Sequence, residues 1–192
     1  MKKTLLIILI TIFSSHLFAQ NKQFKLLVVA GVNATQVNGD KLSGFNKFGL
    51  NTGLGICREI NKKSTFQMEF LYSEKGSKDV VNAYNPIPDT LFKFNYIDIP
   101  IVYTYQIYPK FDLELGVYNS VRIKAIYSDN VNDFDRTSII RKTDHGGLIG
   151  LNYQLFEHLS LNGRVSQSFF DINASIERYF NFYTSLSIRY SL

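Results

Sequence analysis

A chain of 192 residues with 45% hydrophobic residues and a formal charge of +5 suits one domain behind an export leader. Its positive residues are scattered, with no arginine-rich tract or basic helix, which argues against nucleic-acid binding. It holds 16 Phe and 12 Tyr but 4 Pro and no Trp, and its single cysteine, Cys57, excludes an internal disulfide framework.

The first element reads as a leader. Lys2 and Lys3 form a basic head, residues 4–13 are an unbroken apolar run, and Ser14, Ser15, Leu17, Phe18 and Ala19 follow. This is the three-part layout of a secretory signal peptide, with cleavage expected after Ala19. The run is about half of the roughly 20 residues that a spanning helix needs. Cleavage removes Lys2 and Lys3, lowers the charge from +5 to +3, and leaves residues 20–192 as one domain. No cysteine lies near the cut, so a lipid-anchored lipoprotein is not expected.

The rest of the chain alternates with period two. Phe48, Leu50, Leu54 and Ile56 alternate with Gly49, Asn51, Gly55 and Cys57. Phe66, Met68, Phe70 and Tyr72 alternate with Gln67, Glu69, Leu71 and Ser73, and Ile97, Ile99 and Ile101 with Asp98, Pro100 and Val102. Such runs are β-strands with one apolar and one polar face. Eight are expected, at 23–33, 45–60, 65–76, 91–107, 111–126, 144–155, 159–169 and 180–192. Tight turns at Asn61-Lys62-Lys63, Tyr108-Pro109-Lys110 and Phe156-Glu157-His158 alternate with longer polar stretches. Short turns on one rim and long loops on the other mark an eight-stranded antiparallel up-and-down transmembrane β-barrel of the bacterial outer membrane, with tight turns and both termini periplasmic.

Alternation alone also fits a soluble, lipocalin-like barrel whose apolar face points inward. The membrane reading is favoured by an apolar face rich in Phe and Tyr and an opposite face with charges in mid-strand. By parity Glu69, Asp98, Glu114, Arg122, Arg164 and Arg189 share the lumen, with Asp98 near Arg122. An eight-stranded barrel has room only for its own side chains, and buried charges need partners. These six are therefore expected to form a salt-bridged plug; a proton or ion path is the alternative. Pro100 removes a ladder hydrogen bond where no edge is free, so a bulge or a missing bond is expected beside it. Cys57 is expected as a small buried strand residue.

Tyr96-Ile97-Asp98-Ile99-Pro100 resembles the aromatic–aliphatic–acid–Ile/Val–Pro strand motif of the PorT-like outer-membrane β-barrel family of Bacteroidetes. Residues 67–76, which end in Lys75-Gly76, resemble its preceding strand. Gly31-Val32-Asn33 and Leu115-Gly116-Val117-Tyr118 resemble its first and fifth. The resemblance implies an outer-membrane barrel without catalytic residues. The founding member is associated with type IX protein secretion, so an accessory role in secretion is one implied function.

Three classes of function follow. The favoured one is a non-enzymatic barrel with a plugged lumen, acting as a structural or interaction protein through its extracellular loops. Candidate loop contacts are Tyr84, Ile87, Phe134 and Ile139, with Ile140 beside them; they either meet a partner protein or rest on the rim. The second is the secretion accessory. The third is a lipid-modifying enzyme, which needs a Ser–His pair at the outer rim; His145, Ser128 and Ser138 are the candidates, while His158 falls on the other rim. No catalytic residue, cofactor or metal site is expected: the two histidines of the mature chain lie far apart, and the glycines lie within a strand rather than before a helix. Outer-membrane lipid is the expected surround.

Overall fold

The computed structural model describes residues 24–42, 44–80, 90–129, 132–174 and 177–192. The expected signal peptide and the loop candidates Tyr84 and Ile87 lie outside them. The described strands are β1 (Lys25–Asn38), β2 (Lys47–Asn61), β3 (Ser64–Lys78), β4 (Leu91–Tyr108), β5 (Phe111–Ser128), β6 (Asp133–Asp135), β7 (Thr143–Gln154), β8 (Leu159–Ser168) and β9 (Phe180–Ser191). All pair antiparallel in one sheet, and the β1–β9 and β4–β5 pairings close it into a ring of eight. The short β6 stands outside the ring and pairs with the end of β5 beyond its contact with β7.

The burial pattern inverts that of a soluble protein. Leu54, Leu115, Val117, Ile149, Leu186 and Ile188 are more than half exposed, whereas Asn33, Thr35, Glu69, Ser73, Glu114 and Asn162 are fully buried. A lipocalin-like barrel has the opposite arrangement. An apolar exterior around a polar interior is stable only where the surround is hydrocarbon.

Four points of comparison with the sequence reading matter. First, β1 runs to Asn38 rather than stopping at residue 33. Its continuous apolar stretch hides the alternation, yet Thr35 and Val37 point inward, and Thr35 Oγ1 donates to the Gly76 carbonyl at 2.8 Å. Second, β6 is a strand where a loop was expected. Third, at Pro100, where a bulge or a missing bond was expected, the β3–β4 ladder pairs Met68 with Ile101 and Leu71 with Asp98 but omits Ile99 and Pro100 between them. Register is the same on both sides, so the proline interrupts the ladder without a bulge; on its other flank Pro100 stays paired with Tyr118.

The fourth overturns an expectation. Asn95 pairs with Lys124 but Tyr96 pairs with Arg122, so Ile123 is an extra residue, a β-bulge. A bulge re-aims the side chains next to it. Arg122 is half-buried at the rim and donates from Nε to the Arg141 carbonyl at 3.2 Å. It does not pair with Asp98 and is not part of the lumen charge cluster.

Candidate functional site

The lumen carries two charged layers. The layer nearer the tight turns joins four strands. Arg164 of β8 reaches across to Glu69 of β3 on the opposite wall. Its Nη1 and Nη2 donate to Oε2 and Oε1, each at 2.9 Å, and its Nε donates to Glu114 Oε2 of β5 at 2.7 Å. Arg189 of β9 lies 3.1 Å from Glu114 Oε1 and 3.2 Å from Glu69 Oε1. Two guanidinium groups thus neutralise two carboxylates, all four nearly inaccessible to solvent. Two inward glycines make the room: a Cβ on Gly55 would come within 2.9 Å of Glu69 Cγ, and one on Gly150 within 2.8 Å of Arg164 Cγ.

The layer nearer the long loops centres on Lys75, which the sequence reading treated only as the end of a strand motif. Parity with Glu69, Leu71 and Ser73 places it inside. Lys75 Nζ lies 3.0 Å from Asp98, 3.7 Å from Asp144 and 3.2 Å from Ser120 Oγ. The rings of Tyr96, Tyr118 and Tyr183 surround it, with centroids 4.8, 4.7 and 4.5 Å away. A cation held on three aromatic faces and desolvated gains from each of them. The partner of Asp98 is therefore Lys75, not Arg122. Asp144 also accepts from Asn181 Nδ2 at 2.9 Å.

Gly146 shapes this cage. A Cβ there would lie 2.3 Å from the Tyr118 ring and 2.2 Å from the Gln167 carbonyl. Gly146→Ala should push Tyr118 off Lys75 and cost about 1–3 kcal/mol, the usual range for overpacking. Urea unfolding in detergent, followed by gel mobility because the chain lacks Trp, checks this. Arg122→Met, by contrast, should change stability by no more than about 0.5 kcal/mol in the same assay, as for an ordinary surface site.

Between the layers lies a cavity of about 20 Å³, bordered by Leu71, Pro100, Leu148 and Ser185, which is space for about one water. Beyond the Arg189 layer a vestibule of about 170 Å³ opens at the tight-turn rim, bordered by Gln67, Thr104, Asn152 and the buried free thiol of Cys57. A concavity of about 700 Å³ bordered by Val32, Phe48, Ile149 and Leu186 lies on the apolar exterior and does not face the lumen.

The long-loop mouth is capped. Val37, Phe94, Tyr96, Ala125, Ile140 and Ile172 form a buried cluster, with Phe92 and Tyr179 packed on it. Ile140 and Ile172 come from loops. Bonds from Arg141 N to the Ile172 carbonyl at 2.7 Å and from Ala174 N to the Ile139 carbonyl at 2.9 Å tie those loops together. Of the expected loop contacts, Ile140 is buried in this cap, Ile139 is half-buried beside it, and Phe134 is 42% exposed. Phe134 ends an aromatic row that runs through Tyr127 to Phe92, with centroid steps of 6.0 and 5.1 Å.

Among the described residues, neither His145 nor His158 hydrogen-bonds to a serine hydroxyl. The ring of His145 sits on the exterior against the edge of Phe170, and no serine or carboxylate among the described residues hydrogen-bonds to it. His158 meets the Ser191 carbonyl at 3.0 Å and the Tyr190 ring at the tight-turn rim.

Comparison with known proteins agrees with this geometry. Among solved structures, the Neisserial surface protein NspA superposes with a TM-score of 0.52 at 15% identity, covering 90% of this chain and 100% of its own. The attachment invasion locus protein Ail of Yersinia pestis, crystallised with the heparin analogue sucrose octasulfate, gives 0.54 at 15%, covering 88% and 99%. These likenesses concern the fold alone. No curated protein matches the chain. Residues 18–174 match a family described as the outer membrane protein beta-barrel domain. With the closed eight-stranded ring and its apolar exterior, that match shows that this chain is a bacterial outer-membrane barrel belonging to the outer membrane protein beta-barrel domain family.

Proposed function

We propose that this barrel is closed to solutes and serves as a structural or interaction protein at the cell surface, without enzymatic activity of its own. One observation carries the reading: between the vestibule and the long-loop mouth the lumen meets an ion-paired layer, space for about one water, a caged lysine and an apolar cap. An electrical measurement tests it. Purified protein in a planar bilayer should give no stepwise conductance above the bare membrane. A steady ohmic channel would overturn the proposal.

The orientation proposed with it places the long loops outside, the tight turns and both termini in the periplasm, and a leader of 19 residues removed on export. The even number of ring strands supports this, since it leaves both ends on the tight-turn rim. An epitope inserted in the β5–β6 turn should then bind antibody on intact cells. The surface offered to a partner is the projecting end of β4, β5 and β6, with Phe134 at its tip. We further place the chain among the PorT-like barrels. The two motif segments that suggested this meet in space, because Lys75 of one binds Asp98 of the other. Crosslinking in the native membrane followed by purification tests for a protein partner; recovery of the barrel alone argues for a stand-alone role.

A further inference from the structure

We propose that the exterior of β4, β5 and β7 at the long-loop rim docks a membrane lipid with a phosphorylated headgroup. Almost everywhere the exterior is apolar. On β4 it runs upward through Ile101, Ile99 and Ile97, then turns polar at Asn95 and Lys93. On β5 it runs through Leu115 and Val117, then Asn119 and Val121, and after the Ile123 bulge reaches Lys124. Asn119 pairs with Ile99 on one side and His145 on the other, so two hydrogen-bonding side chains face outward inside the apolar band. Both are exposed.

Lys124 and Lys93 lie higher on the same face: Asn95, opposite Lys124, is four residues along β4 from Ile99, opposite Asn119, about 13 Å at the usual strand rise. Lys124 is opposite Asn95 and Lys93 is opposite Ile126, so the lysines are diagonal neighbours on one face. Such neighbours sit about 7–8 Å apart, within reach of one another's long side chains. Both are exposed, and neither comes within ion-pair distance of a carboxylate among the described residues. Two like charges on one face repel unless an anion lies between them. A phosphate there would bridge both ammonium groups, and the isoleucines below would meet the acyl chains.

The bulge contributes to the site. Without the extra residue, β5 would keep its inward–outward alternation past Arg122, and position 124 would face the lumen. With Ile123 inserted, Lys124 faces out, and Ala125 faces in beneath Phe94. Asp135 on β6 is the nearby opposing charge. Its carboxyl is held below its usual value first by Thr137 and then by the field of Lys124 and Arg122. It competes with an incoming phosphate, so Asp135→Asn should tighten binding.

A nanodisc experiment tests the proposal. Protein is placed in phosphatidylcholine discs doped with lipid A, a glycolipid with two phosphate groups, or with its dephosphorylated form. Retained lipid is then counted by native mass spectrometry. The unaltered protein should retain the phosphorylated form at least about tenfold more strongly, and Lys93→Gln with Lys124→Gln should weaken that retention about thirtyfold, the effect of two lysines at an anionic surface. Lys93→Arg with Lys124→Arg should preserve it, as should Lys62→Gln with Lys63→Gln on the other rim. The proposal is overturned if the two lipids are retained equally or if the Lys62/Lys63 variant loses as much. It is also overturned if millimolar inorganic phosphate displaces the lipid, which would mark a site for soluble anions. The site rests on the proposed orientation only for which leaflet it meets. Binding in a nanodisc does not depend on orientation, so the two can fail separately.

Discussion

Replacing Arg164 with methionine should cost about 3–5 kcal/mol of barrel stability, the range for breaking a buried ion pair from one side. Arg164 makes three charge-assisted bonds at 2.7–2.9 Å, two of them a fork onto Glu69. Its loss leaves Glu69 and Glu114 to share one buried cation, Arg189. One carboxylate is then an uncompensated charge in a buried layer, and that cost exceeds the worth of the original pairs. The check is the urea midpoint of the folded, fast-migrating form on gels. Adding Glu69→Gln to Arg164→Met should recover much of the loss, because charge balance is restored. If the double variant is as unstable as the single one, Arg164 acts through packing rather than charge.

The second large effect is expected at the cage. Lys75→Met should also cost about 3–5 kcal/mol, since it strands Asp98 and Asp144 together with no cation. Two like charges in one buried layer repel, so adding Asp98→Asn to Lys75→Met should recover part of the loss. The aspartates should differ when changed singly. Asp98→Asn removes the 3.0 Å partner, while Asp144→Asn removes the 3.7 Å one and leaves Lys75 and Asp98 as a neutral pair. The second substitution should therefore be the milder. Equal losses at both positions would mean that Lys75 is shared evenly, contrary to the distances.

Of the six charges expected in the lumen, five are brought into ion pairs with one another or with Lys75: Glu69, Glu114, Arg164 and Arg189 in one layer, with Asp98 in the other. Parity within a strand suffices to place them, because side chains alternate strictly along an unbroken strand. The same rule misplaced Arg122, because it counts residues and cannot see an inserted one. The rule also covers Lys75, which shares parity with Glu69 inside the expected strand 65–76, but Lys75 was read only as part of the motif that closes that strand. Asp144, the first residue of the expected strand 144–155, was not among the expected lumen charges. Ile140 was left between meeting a partner and resting on the rim, because its packing partners Ile172 and Phe94 come from two other parts of the chain.

By itself, then, the sequence determined eight membrane strands, their faces, and which rim holds the tight turns. All of these follow from period-two alternation and local turn chemistry, which need no long-range contact. Only the tertiary structure decided who pairs with whom. Ring closure sets β8 opposite β3 and so brings Arg164 onto Glu69, 95 residues apart in the chain. The Ile123 bulge, the three-ring cage on Lys75 and the loop cap also depend on neighbours distant in sequence. A barrel wall is specified strand by strand, but its contents are specified across the lumen, and only the closed ring defines that distance.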